Sequence, residues 1–147
     1  MKAIDFLNDE NVKMLLEPMG YWGKNYNYYV YASTYNPMII ALRRFGALGG
    51  LIMALLVKNA IVCLSDRGVA VVQVNLGNNI TDKIELIPRD KLSELRYKMD
   101  IQATKIIVRR KEGKKTTFHV LNKMKKSPKH VENLSKIREV LDNDTIG

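Results

Sequence analysis

Residues 105–129 carry ten basic side chains, Lys105, Arg109, Arg110, Lys111, Lys114, Lys115, Lys123, Lys125, Lys126 and Lys129, against a single acid, Glu112. That surplus equals the formal net charge of the whole chain, +9, so the remaining residues are formally neutral. Charge gathered in this way makes a local positive potential that steers anions: phosphates, lipid headgroups or acidic protein faces. The first nine of these residues, Lys105 to Lys126, are the candidate anion-binding set. A solvated hairpin tip would carry the same composition, and Lys123, Lys125 and Lys126 could converge on the same end as that tip. If the segment instead meets nucleic acid without sequence preference, affinity falls steeply with salt through counterion release. No recognised nucleic-acid motif accompanies it.

Catalytic chemistry finds little to work with. His119 and His130 fall on an expected strand and an expected helix start, with no cysteine or further histidine at ligand spacing. Gly46, Gly49 and Gly50 lack the Lys-Ser/Thr that follows a phosphate loop and the order of a dinucleotide-binding turn. Asp9 with Glu10, and Asp142 with Asp144, sit near element ends, where capping and solubility explain them better than general acid and base roles. The expectation is a binding or scaffold module with no catalytic residues, no metal and no cofactor. Its ligand would be a protein or an anionic membrane surface, with nucleic acid as the alternative.

A second contact candidate is Arg43, Arg44 and Phe45, which open an uncharged stretch at residues 45–57 that Lys58 closes. Its 13 residues fall short of the roughly 20 that a membrane-spanning helix needs. It reads as a buried helix or strand pair with a glycine-rich bend, or as a loop that touches a membrane or partner. A length of 147 residues with 46% hydrophobic composition suits one domain that buries its core without disulfides or metals. Cys63, the only cysteine, lies in the apolar run Ala60-Ile61-Val62-Cys63-Leu64 and has nothing in the chain to pair with. Residues 1–8 lack the features of a secretory leader. These readings suggest a cytoplasmic protein, with peripheral membrane association left open by residues 43–57.

The elements that must carry these residues are mostly strands. Asn8 caps a short helix over residues 8–17, with Val12, Leu15 and Leu16 at helical spacing and Pro18 and Gly20 as stops. Residues 21–35 hold six of the seven tyrosines and Trp22, with Tyr26, Tyr28 and Val30 alternating against Tyr29 and Tyr31, a strand pattern. Residues 60–64 and 69–76 form a hairpin around Ser65-Asp66-Arg67-Gly68, and after the turn Gly77-Asn78-Asn79 a third strand covers 80–87, with Ile80, Ile84 and Leu86 inward and Thr81, Lys83 and Glu85 outward. Pro88 ends it, and Asp90 caps a single turn containing Leu92 and Leu95. Strands follow at 95–99, 105–110 and 115–121. Ser127 and Pro128 then start a helix whose apolar face is Val131, Leu134, Ile137, Val140 and Leu141.

The predicted class is α+β, mainly β: about six or seven antiparallel strands in a bent sheet or partly open barrel, one domain over 1–147, closed by the C-terminal amphipathic helix. Its core is the meander and helix at 59–142, and residues 1–58 add the N-terminal helix, the aromatic strand and the apolar insert. An exposed strand edge leaves self-association open. Three features carry a likeness: the hairpin Ile61-Val62-Cys63-Leu64-Ser65-Asp66-Arg67-Gly68-Val69-Ala70-Val71-Val72, the step Ile87-Pro88-Arg89-Asp90-Lys91-Leu92, and the last strand with its helix. In these the chain resembles the pleckstrin-homology-like (PH-like) superfold, in particular small bacterial PH-like domains of unassigned function. The resemblance implies a binding module. Many eukaryotic members bind inositol phosphates through basic residues after the first strand; only Arg43 and Arg44 stand there, so that ligand is not carried over.

Overall fold

The computed structural model describes residues 1–34, 58–113, 115–124 and 126–143. Arg43, Arg44, Phe45 and the apolar run 45–57 lie outside the described residues, as do Lys114 and Lys125. Seven antiparallel strands form one open sheet: β1 (Asn27–Ser33), β2 (Asn59–Ser65), β3 (Gly68–Val74), β4 (Ile80–Pro88), β5 (Leu92–Met99), β6 (Ala103–Arg110) and β7 (Lys115–Leu121). Two short helices precede them, α1 (Ala3–Phe6) and α2 (Asp9–Leu16), and α3 (Pro128–Asn143) follows. The class is α+β, mainly β, as the sequence predicts.

The strand order β4-β3-β2-β1-β7-β6-β5 puts β4 and β5 at opposite edges, although only a single 3-10 turn, Arg89–Lys91, joins them. Three residues span about 10 Å at full extension. The sheet therefore curls until one corner of each edge meets, and an ion pair from Arg110 on β6 to Glu85 on β4 crosses the same gap.

Curling creates two cores from the two faces. Inside lie Val30, Val62, Leu64, Val69, Ile87, Leu95, Ile106, Val108, Phe118 and Val120, with Leu134 and Ile137 of α3 closing one end. Outside β1–β3, residues Tyr29, Ile61, Cys63, Ala70, Val72 and Val74 pack under Phe6, Leu7, Val12 and Leu16 of the N-terminal helices. Buried on both faces, β2 reads as a continuous apolar run instead of alternating. Asn8 caps α2 by accepting the Asn11 N–H at 2.9 Å, and Tyr29 Oη donates to Asp9 at 2.7 Å, tying that helix to β1. In the β2–β3 hairpin Gly68 has φ +139°, and a Cβ there would stand 2.1 Å from the Ile87 carbonyl oxygen, so only glycine lets β4 approach.

Four details depart from the sequence reading. A one-turn helix, α1, precedes the expected one, and β5 begins at Leu92 directly after the 3-10 turn, with a register shift between Leu92 and Glu94 that lets both Leu92 and Leu95 face the core. On β4, Ile80 and Ile84 pack against the outer core, whereas Lys83 and Glu85 face the open side of the curled sheet; Leu86 is exposed. The buried stripe of α3 is His130, Asn133, Leu134 and Ile137, and Val131 is exposed.

That last difference has a physical cause. Among the described residues the β1–β7 ladder holds one pair, Ser33 with His119, and extending its register brings Tyr31 opposite Leu121. The His130 ring sits between them: the Tyr31 N–H donates to Nδ1 at 3.1 Å, and Nε2 lies 2.9 Å from the Leu121 carbonyl oxygen. One ring nitrogen must accept and the other donate, which fixes a neutral imidazole. Asn133 Nδ2 continues the repair by donating to the Tyr29 carbonyl at 3.0 Å. Thus α3 supplies the hydrogen bonds that β1 loses where β7 ends.

Candidate anion-binding face

The outer face of β1–β3 is covered, but no helix of the described residues covers the outer face of β5–β7. Cross-strand pairing fixes what that face presents, because directly opposed residues share a side of the sheet. Three rows result: Glu94, Arg109 and Lys115; Arg96, Ile107 and Thr117; Lys98, Lys105 and His119. Five cations thus share a nine-position face with one acid.

The rows differ electrostatically. Glu94 pairs with Arg96 and, at 3.2 Å, with Arg109; the hydrogen bond from Arg96 is the larger cause, with Arg109 adding to it, that holds its carboxyl below the usual range. In the third row, Lys98 stands opposite Lys105 and Lys105 opposite His119, and neither lysine has an ion pair among the described residues. Like charges directly opposed destabilise a sheet by several tenths of a kcal/mol per pair. His119 registers this: desolvation first, then the Lys105 charge, lowers its pKa, and its Nδ1 is buried with no hydrogen-bond partner among the described residues. Two unpaired, mutually repelling lysines are what a bound anion would relieve.

The sequence-predicted set does not converge on one patch. Lys105 and Arg109 lie on the outer face with Lys115, while Arg110 faces the other way and pairs with Glu85. Lys111 borders a separate cleft with Arg110, Lys91, Asp90 and Glu112, where the charges are mixed. Lys123 and Lys126 follow the far end of β7, whose seven residues place them about 20 Å from the Lys111 hairpin tip. The possible convergence of these two groups is corrected: they sit at opposite ends of the hairpin. Conversely, Arg96 and Lys98 belong to the face and were not in the predicted set. Their signal lies in the sequence, since Glu94, Arg96 and Lys98 alternate at period two, but they precede the charge-rich segment and only strand pairing joins them to it.

Other chemistry has no assembled site among the described residues. Cys63 is buried, and burial pushes its thiol up to about 12. No group of three or more His, Cys, Asp or Glu side chains could hold a metal there. The stacked pair Tyr26 and Tyr28, with centroids 5.5 Å apart, packs against the inner core and offers no stacking platform beside the cationic face. No described helix is long and apolar enough to cross a membrane. No protein-family model, curated protein or solved structure matches this chain.

Proposed function

We propose that this chain is a non-catalytic binding module of PH-like build, whose ligand is an anionic surface held against the outer face of β5–β7. The strand order, with sequence neighbours β4 and β5 at opposite edges and a C-terminal helix closing one end, supports the PH-like reading. The observation that carries the function is the row Lys98, Lys105 and His119, in which two directly opposed lysines repel each other and have no acid partner among the described residues. A folded chain that keeps such a row at a cost to stability is built to be neutralised from outside. Membrane headgroups and acidic protein faces both fit; a peripheral position on a cytoplasmic membrane surface follows from the first.

A salt titration tests this with three probes: phosphatidylserine-containing vesicles, a polyglutamate peptide and fluorescent duplex DNA. The expected result is binding to vesicles or peptide at low salt that weakens progressively as salt rises. Tighter binding to DNA than to both other probes would assign the face to nucleic acid instead. Absence of binding to all three would overturn the reading.

A further inference from the structure

We infer that the β5–β6 hairpin loop is a membrane-inserting tip, so that the partner of the cationic face is an anionic lipid bilayer. This inference rests on the anionic-surface reading above and names its source. Ile101, at the apex of that loop, is 92% exposed, more than any other large apolar side chain of the described residues. Met99 and Leu121, 58% and 42% exposed, flank it.

The loop is built to hold that side chain outward. Asn122 Nδ2 donates to the carbonyls of Asp100 at 2.8 Å and Ile101 at 3.2 Å, and the Asn122 N–H donates to the Gln102 carbonyl at 2.9 Å. The Asp100 N–H donates to the Ala103 carbonyl at 2.9 Å, and the Asp100 carboxylate takes the Ile101 N–H at 2.7 Å. Thr104 Oγ1 donates to Asn122 Oδ1 at 2.6 Å and holds the amide in place. Backbone groups that are already paired internally can leave water without the cost that unpaired ones incur in a lipid interface. Leu76, the other strongly exposed aliphatic residue at a turn, lies between β3 and β4, away from the cationic face, and the Lys2 ammonium at its turn is occupied by the Gly77 carbonyl at 2.7 Å.

Three lysines outnumber the Asp100 carboxylate around the tip, where headgroups would lie. Lys98 and Lys105 form the sheet row nearest the loop, Lys123 follows the stapling Asn122, and none of the three has an ion pair among the described residues. A bilayer resting on this corner meets Ile101 with its acyl boundary and the three lysines with its phosphates. An apolar anchor combined with a basic patch is the pairing that gives stable peripheral attachment. Acidity in a partner accounts for the lysines alone, whereas an anionic bilayer also supplies an apolar layer for Ile101.

Sedimentation with phosphatidylcholine vesicles, with and without phosphatidylserine, tests this on the full chain. The wild type binds only the anionic vesicles, and Ile101→Glu weakens that binding about tenfold or more, as removal of one buried aliphatic anchor requires. An Ile101→Cys variant labelled with an environment-sensitive fluorophore reports insertion independently of affinity, because the buried Cys63 does not compete for label. Its emission shifts to the blue on anionic vesicles. Undiminished binding by Ile101→Glu together with an unshifted emission overturns the insertion while leaving the anionic-surface reading intact. Wild-type binding to polyglutamate but not to anionic vesicles overturns the lipid assignment, and binding to neither overturns both.

Discussion

Replacing His130 with leucine lowers the stability of the fold by about 2 kcal/mol in a denaturant titration, because two partly buried backbone groups lose their partner at once. Leucine fills the space left by the ring, so the effect is chiefly polar. The Tyr31 N–H and the Leu121 carbonyl face each other across a gap that the imidazole bridges, and each group left unsatisfied costs about 1 kcal/mol at this partial burial. The same geometry predicts a pH dependence. Burial lowers the His130 pKa below its ordinary value of 6.5, and desolvation with the Lys105 charge lowers that of His119. The unfolded chain therefore takes up protons near pH 6.5 that the folded chain refuses. Stability is full above that pH and falls as pH drops below it, by up to about 1.4 kcal/mol per pH unit for His130 and by less for the more exposed, solvent-screened His119. In the His130→Leu protein the slope shrinks to the share of His119. An unchanged slope would show that the ring is not held neutral.

The second large effect has two opposite parts. Lys105→Glu places an acid between Lys98 and His119, so the repulsive pair with Lys98 becomes attractive and His119 loses the positive charge beside it. Thermal stability rises by about 1 kcal/mol, and the His119 pKa rises with it, which a proton titration by NMR reads directly. Affinity for anionic vesicles falls, by roughly thirtyfold for a charge change of two at about 1 kcal/mol each. A residue serving structure alone could not be exchanged with gain of stability and loss of binding together. If stability falls instead, Lys105 has a structural role that its register position does not reveal.

Much of this architecture was legible because period two and turn chemistry act locally. The alternation of Tyr26, Tyr28 and Val30 against Tyr29 and Tyr31 matches the division between inner and outer cores. Gly68 stands where only glycine fits, and β7 runs from Lys115 to Leu121 as its pattern indicates. What escaped depends on contacts far apart in sequence. Val131 looks like a core residue of α3 by spacing, but the register of β1 against β7, set about a hundred residues earlier, brings His130 and Asn133 inward. Ile80 and Ile84 looked like one inward stripe because a single sequence shows that a face is buried without showing which of two cores buries it.

The site was legible as charge and illegible as geometry. Counting lysines along the chain joined Lys123 and Lys126 to Arg109 and Arg110, which the length of β7 separates. It also left out Arg96 and Lys98, which cross-strand pairing brings beside Lys105. Proximity in a sheet follows register, and register requires the partner strand to be known.

The central claim is that position on the β5–β7 face, and not total charge, makes the binding surface. Two variants with the same loss of charge decide it in one vesicle-sedimentation titration: Arg96→Ala/Lys98→Ala/Lys105→Ala on the face, and Lys24→Ala/Lys83→Ala/Lys136→Ala on exposed positions elsewhere. The face variant should bind anionic vesicles roughly a hundredfold more weakly than the wild type, while the second variant stays within a few fold of it. Equal weakening of the two, or none in the first, would contradict the account.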